Sequence, residues 1–274
     1  MPEAATIEFT QPQPNTVASL AADLRALGLH SGMTVLVHSS LSRLGWVCGG
    51  PVAVVLALEA VLGPAGTLVM PAFSTGMSDP AHWQNPAVPA QWWEPIRATM
   101  PAFDATMTPT RHMGAIAECF RTQTGVRRSA HPQFSFAAWG QHAAFVTAGH
   151  ALANSLGEQS PLARIYALGG SVLLLGVGHA NNTSLHLAEH RADYPAKTFM
   201  PTASPMLVDG QREWVRFLDL DFDDEDFPQL GADFARDSGL EQRGQVGTGS
   251  ALLMPQRALV DYGVAWLQRY RGAQ

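Results

Sequence analysis

His186 and Glu189 stand three residues apart, just behind the polar run Asn181-Asn182-Thr183-Ser184. Residues of that kind cap helices, because a side-chain oxygen can accept from one of the N–H groups that a first helical turn leaves unpaired. With Thr183 as the cap, His186 falls in the first turn and Glu189 lies one turn on, along the same face. A histidine there feels the positive end of the helix dipole, which disfavours the imidazolium and favours a proton-accepting ring. A carboxylate at i+3 fixes the tautomer and steadies the charge once a proton has been taken. The pair reads as a general base and its orienter. Two other readings compete. A helix after a buried strand also carries His and Glu as a merely solvated face. In addition, His186, Glu189 and His190 spell H-x-x-E-H, which in one class of zinc peptidase supplies two imidazole ligands and a glutamate base, although a third ligand is then required.

Several elements must position these groups. The apolar run Val172 to Leu175 predicts a buried strand that delivers the chain through a Gly-rich turn to Thr183. Upstream, Thr34 to Val37 predicts a second buried strand leading into His38-Ser39-Ser40-Leu41-Ser42, followed by a helix from Gly50 to Leu62. A strand, a small-residue turn and a helix in this order offer backbone N–H groups to phosphates or carbonyl oxygens. A helix capped by Asn15 or Thr16 runs from Val17 to Leu27 and stops at Gly28. Further strands are expected at 66–71 and 133–137, a helix at 108–120, a hairpin over 206–222 at a sheet edge, and a closing amphipathic helix from Leu252 to Tyr270 broken near Pro255. Residues 1–14 read as a loose arm. The proline- and tryptophan-rich stretch from Ser74 to Thr110 reads as an irregular wall or lid over a pocket. Alternating strand and helix signals predict an α/β layered domain, helices on both faces of a central sheet, spanning residues 1–274.

Composition sets limits. With 274 residues, 46% of them apolar, the chain can bury a sizeable core. A net charge of −6 and 15% charged residues give no basic field for nucleic acid or anionic lipid, so a cationic partner is expected. The start lacks a basic and apolar leader, and no run reaches the ~18 apolar residues of a membrane span, so a cytoplasmic protein is expected. Cys48 and Cys119 are expected to be small core residues rather than nucleophiles carrying an acyl group. From Asp219 to Asp226 six carboxylates crowd together; a calcium loop fails there because Asp224 stands where glycine is needed, and the run reads as a solvated loop or a clamp for ammonium groups. His131 reads as a loop-stabilising residue, and His179 and His190 as surface or supporting positions. No G-x-S-x-G serine elbow is present. Oligomeric state leaves no readable trace.

Taken in order, the segments 35–50, 77–97, 108–121, 127–140, 176–197 and 221–231 resemble the aminoglycoside 3-N-acetyltransferase family over nearly the whole chain from Val17 onward. The resemblance implies transfer of acetyl from acetyl-coenzyme A to the 3-amino group of a 2-deoxystreptamine aminoglycoside, with no metal required. It implies a mixed-sheet α/β/α fold distinct from the common N-acetyltransferase superfamily, whose pyrophosphate-loop pattern is absent. By resemblance, His186 and Glu189 carry the proton chemistry. The coenzyme lies along His38, Ser39, Ser40, Leu41 and Ser42, and near Thr110 and Met113. Ser39, Ser40 or Thr110 would supply oxyanion donors, and Asp79, Glu94, Asp223, Glu225 and Asp226 would bind substrate ammonium groups. The zinc peptidase and an acetyltransferase for a non-antibiotic amine stand as alternatives.

Overall fold

The computed structural model describes residues 3–10 and 12–272. Among the described residues nine strands form two sheets. The larger runs in the order β3 (Arg127–Arg128), β4 (Phe136–Gly140), β2 (Thr67–Pro71), β1 (Thr34–Ser39), β5 (Ser171–Leu175), β9 (Gly249–Pro255), β8 (Gln242–Val246). Its centre, β2–β1–β5, is parallel, and β4 and β9 flank it antiparallel. The sheet is therefore mixed, as expected.

Strand alternation explains the two cores. Val35, Val37, Leu173 and Leu175 point to one face, where α2 (Val17–Leu27), α3 (Gly50–Leu62) and α5 (Gly114–Arg121) cover them. Leu36, Val172 and Leu174 point to the other. There they meet α6 (Ala143–Thr147), α7 (Pro161–Ala167), α8 (Ser184–Arg191), α9 (Phe227–Ser238) and α10 (Gln256–Tyr270). Each fully buried Leu or Phe contributes roughly 1.5–3 kcal/mol. The helix over 17–27 begins and ends as its sequence predicts: Thr16 and Ser19 form a capping box, and Gly28 is left-handed.

Several expectations are corrected. The arm contains α1 (Glu3–Thr10), a run rich in helix-forming Ala and Glu; residues 1, 2 and 11 of the arm lie outside the described residues. Residues 110–113 form a turn, with His112 at φ 61°, and the helix starts only at Gly114. The strand expected at 133–137 begins at Phe136, because the Gln133 and Phe134 N–H groups both donate to His131 Nδ1 and hold a turn there. Residues 252–254 belong to β9, and α10 starts after Pro255. The hairpin is longer than expected, β6 (Phe199–Val208) with β7 (Gln211–Leu220), and forms its own two-stranded sheet rather than an edge of the main one.

The 74–110 segment holds 3-10 turns and a short helix, α4 (Trp93–Thr99). It packs on the hairpin: Arg212 donates to the Arg97 and Met100 carbonyls, and Phe103 N–H to Pro205. Arg128 pins its two ends, donating to the Ser74 hydroxyl (2.8 Å) and the Thr108 carbonyl (2.6 Å). Burial pushes that guanidinium down to about 10, still protonated at pH 7. Among the described residues no helix is long and apolar enough to cross a membrane.

Candidate active site

The carboxyl ends of the parallel strands β1, β2 and β5 open on one side of the sheet, the usual place for a site in an open α/β sheet. A cavity of about 180 Å³, open to solvent, is lined there by His38 and Ser39 from β1, Pro71 from β2, Val177 after β5, and Thr183 and His186 at the start of α8. His112 and Met113 close one side, Asp224 and Phe227 another. Beyond Ser39, Met113 and Asn181 it continues into a groove lined by Ser40, Leu41, Ser42, Trp46 and Gly114.

His186 is the third residue of α8 and only its edge is open, with 12% side-chain exposure. Its ring is wedged between Phe222 and Phe227, centroids 4.7 and 4.9 Å away. Nδ1 lies 2.9 Å from Glu189 Oε2. That leaves Nε2 as the nitrogen available to a ligand. Glu189 is fully buried. Its Oε1 accepts from Arg271 Nη1 (2.8 Å) and from the Asp223 N–H (3.0 Å). Burial alone would raise this carboxyl, but the His186 hydrogen bond and charge, with the Arg271 and Asp223 donors, outweigh it and hold the group below the ordinary carboxylate range.

Thr183 occupies the cap position but its hydroxyl makes no capping bond. It turns instead toward β1, with Oγ1 3.2 Å from His38 Nε2. Asn182 Oδ1 takes over as a cap, accepting from Ser184 N–H at 3.3 Å. Burial, with the neighbouring His186 charge second, pushes the His38 imidazole down to about 3, so the ring is neutral at pH 7. A neutral imidazole can donate to Thr183 and leave the threonine O–H free to donate onward.

The other predicted residues are distributed unevenly. Ser39 and Met113 line both the cavity and the groove, whereas Ser40, Leu41 and Ser42 line the groove. Thr110 N–H and Oγ1 both donate to Glu118 Oε2, at 2.9 and 2.7 Å. Asp79 is gripped by the Arg97 guanidinium (2.7 Å) within the 74–110 wall, and Glu94, 83% exposed, pairs with the same guanidinium. Asp226 is paired with Arg271. Asp223 Oδ1 accepts from the Glu225 N–H, and both residues are exposed. Of the acidic run, Asp224 lines the cavity. Asp219 is buried, accepting from the Ser155 and Leu220 N–H groups. Cys48 is exposed and Cys119 half-buried, which corrects their assignment to the core. His179 is buried against Glu241 (2.7 Å) rather than at the surface, and His131 is buried within its loop. Arg271 and His112 were not singled out from the sequence; only the fold brings them to the site.

Among the described residues no three His, Cys, Asp or Glu side chains are grouped to hold a metal ion, so His186 and His190 find no third donor. Glu189, the base of the zinc reading, is enclosed by Arg271, His186 and the Asp223 N–H.

A histidine that lines a cavity continuous with a groove, its ring backed by a buried carboxylate, can take a proton from a molecule bound there. Comparison with known proteins agrees. The family model described as aminoglycoside 3-N-acetyltransferase matches residues 36–268. The SPbeta prophage-derived aminoglycoside N(3')-acetyltransferase-like protein YokD of Bacillus subtilis (strain 168) is 44% identical over 92% of each chain. The crystal structure of YokD superposes with a TM-score of 0.94 at 42% identity, over 97% of this chain and 98% of that one. Aminoglycoside N(3)-acetyltransferase VII of Streptomyces paromomycinus is 40% identical over 95% of this chain and 94% of its own. The structure of AAC-IIIb in a binary complex with CoASH matches at TM-score 0.85 and 32% identity, over 96% of this chain and 99% of that one. The chain belongs to the aminoglycoside 3-N-acetyltransferase family and is an acetyl-coenzyme A dependent transferase.

Proposed function

We propose that this enzyme acetylates the 3-amino group of a 2-deoxystreptamine aminoglycoside by direct attack of the amine on the thioester, with His186 as general base and Glu189 as its orienter. The observation that carries the reading is that His186, its Nδ1 held 2.9 Å from a buried carboxylate, lines the cavity that shares Ser39, Met113 and Asn181 with the groove. In this reading acetyl-coenzyme A runs along Ser39 to Ser42 and past Met113, and its thioester reaches the cavity. The aminoglycoside enters from the side of Asp224, whose carboxylate suits an ammonium group. Asp223 and Glu225 extend that acidic edge. Asp79 and Glu94 meet the substrate only at the outer wall, since Arg97 already occupies them.

A protonated amine has no lone pair to attack with, so it must lose a proton first. That first proton leaves to solvent; His186 Nε2 takes a second one as the neutral nitrogen bonds to the thioester carbon, and Glu189 balances the imidazolium. When the C–S bond breaks, the imidazolium returns the proton to sulfur, leaving the amide and free thiol. The oxyanion formed in between needs a fixed donor, and the Thr183 hydroxyl, backed by neutral His38, meets that need from the cavity wall. Holding both substrates in one site removes about 7–11 kcal/mol of barrier by placement alone, so no acyl-enzyme is required. The proposed enzyme works in the cytoplasm and needs no metal.

The test is thiol release from acetyl-coenzyme A across a panel of amines that includes an aminoglycoside whose 3-amino group is blocked. His186→Gln should lower kcat by about 10²–10⁴-fold with coenzyme binding intact. Full turnover of that variant removes His186 from the mechanism, and turnover of the blocked antibiotic moves the reaction to another amine.

A further inference from the structure

Arg271 follows α10 and is buried, although it is a full-length cation. Its guanidinium makes five contacts. Nη1 donates to Glu189 Oε1 (2.8 Å) and to the Tyr194 hydroxyl (3.3 Å). Nε and Nη2 grip the two Asp226 oxygens at 2.8 and 2.7 Å, and Nη2 also donates to the Asp223 carbonyl at 2.6 Å. The Asp223 N–H in turn donates to the same Glu189 oxygen at 3.0 Å. One planar fork thus joins the buried carboxylate of α8 to the loop that carries Asp224 on the cavity wall.

We propose that Arg271 is the positioning residue of the base: it locks Glu189 against His186 and, through Asp226 and the Asp223 carbonyl, sets the acidic loop in register with that pair. The inference rests on the reading of His186 and Glu189 as base and orienter. Its physical basis is the count of donors on one carboxylate. Arg271, Tyr194 and the Asp223 N–H all converge on Oε1, which leaves Oε2 a single direction, toward His186 Nδ1. Without the guanidinium, Glu189 keeps only weaker donors on Oε1 and can rotate, and Asp226 loses its counter-ion. A lysine could reach one of these oxygens but could not span Glu189, Asp226 and the Asp223 carbonyl together. The pair Asp226–Arg271 is therefore part of the scaffold rather than of the surface that meets the antibiotic.

A double-mutant cycle tests this, because a residue that works through Glu189 has nothing left to do once Glu189 is disabled. Arg271→Gln should lower kcat by about 10- to 100-fold while the KM for acetyl-coenzyme A stays within about twofold. Glu189→Gln should lower kcat at least as far, and the double variant should be no slower than Glu189→Gln alone. Should Arg271→Gln not fold, Arg271→Lys replaces it in both backgrounds, with about a tenfold loss expected in the native background and none beside Glu189→Gln. A full additional loss in the double variant, or no loss from either Arg271 variant, overturns the proposal and leaves the base reading standing. Native turnover by Glu189→Gln overturns both.

Discussion

Four imidazoles, three of them buried and the fourth half-buried, make the stability of this protein depend on pH in a calculable way. Desolvation pushes His38 and His150 down to about 3 and His131 and His190 down to about 4. An unfolded histidine titrates near 6.5, so between about pH 6.5 and 4 the unfolded chain binds protons that the folded chain refuses. Stability is therefore fully present above pH 6.5 and falls as the pH drops. At pH 5, about 1.5 units below the unfolded value, each ring withholds about 2 kcal/mol, at roughly 1.4 kcal/mol per unit. The four together reach about 8 kcal/mol, as large as the whole stability of many domains. Asp219 works in the opposite direction, since burial raises its carboxyl and it favours the folded state as the pH falls; that contribution sets in only near the carboxylate range. Glu189, held low, adds to the acid loss in that same lower window. Urea unfolding followed from pH 7.5 to 4.5 should show a midpoint that is level above pH 7 and falls steeply below 6.5. His190→Gln should reduce the slope by about one proton. A midpoint that is flat down to pH 5 would refute the claim that these rings are folded away uncharged.

Two further substitutions probe the site and its support. Thr183→Val keeps the shape and removes the hydroxyl, so kcat should fall about 10²–10³-fold with little change in KM, and Thr183→Ser should retain most of the turnover; steady-state kinetics on both variants decide whether that hydroxyl serves the oxyanion. Gly263 lets α10 approach α8 so closely that a Cβ there would sit 2.9 Å from the Ala188 Cβ. Overpacking of about 1–3 kcal/mol should outweigh the roughly 0.5–1 kcal/mol that alanine adds to helix propensity, so Gly263→Ala should unfold about 2–8 °C earlier in a thermal scan. An unchanged or raised midpoint would mean that the helices can part at no cost.

What could be read in the sequence was local. Thr16, Gly28 and the apolar spacing of α2 are satisfied within one helix, and β1, α3 and β5 are apolar runs bounded by small residues, so each is specified by its own neighbours. His186 and Glu189 belong to this class because three residues on one helix fix their geometry. Errors arose where a local pattern was decided by a distant partner. Residues 252–254 have an apolar run that suits helix or strand alike, and pairing with β5 makes it a strand. Thr183 looks like a cap because its type and place are right, yet His38, on β1, captures the hydroxyl and Asn182 takes over the capping. The acidic run is the clearest case. Asp223, Asp224, Glu225 and Asp226 are equivalent by composition, and only an arginine 45 residues beyond Asp226 separates them: it consumes Asp226, borrows the Asp223 backbone, and leaves Asp224 on the cavity wall. A guanidinium that neutralises one carboxylate and positions another cannot be read from charge spacing, because its effect depends on which oxygens the fold brings within 3 Å of it.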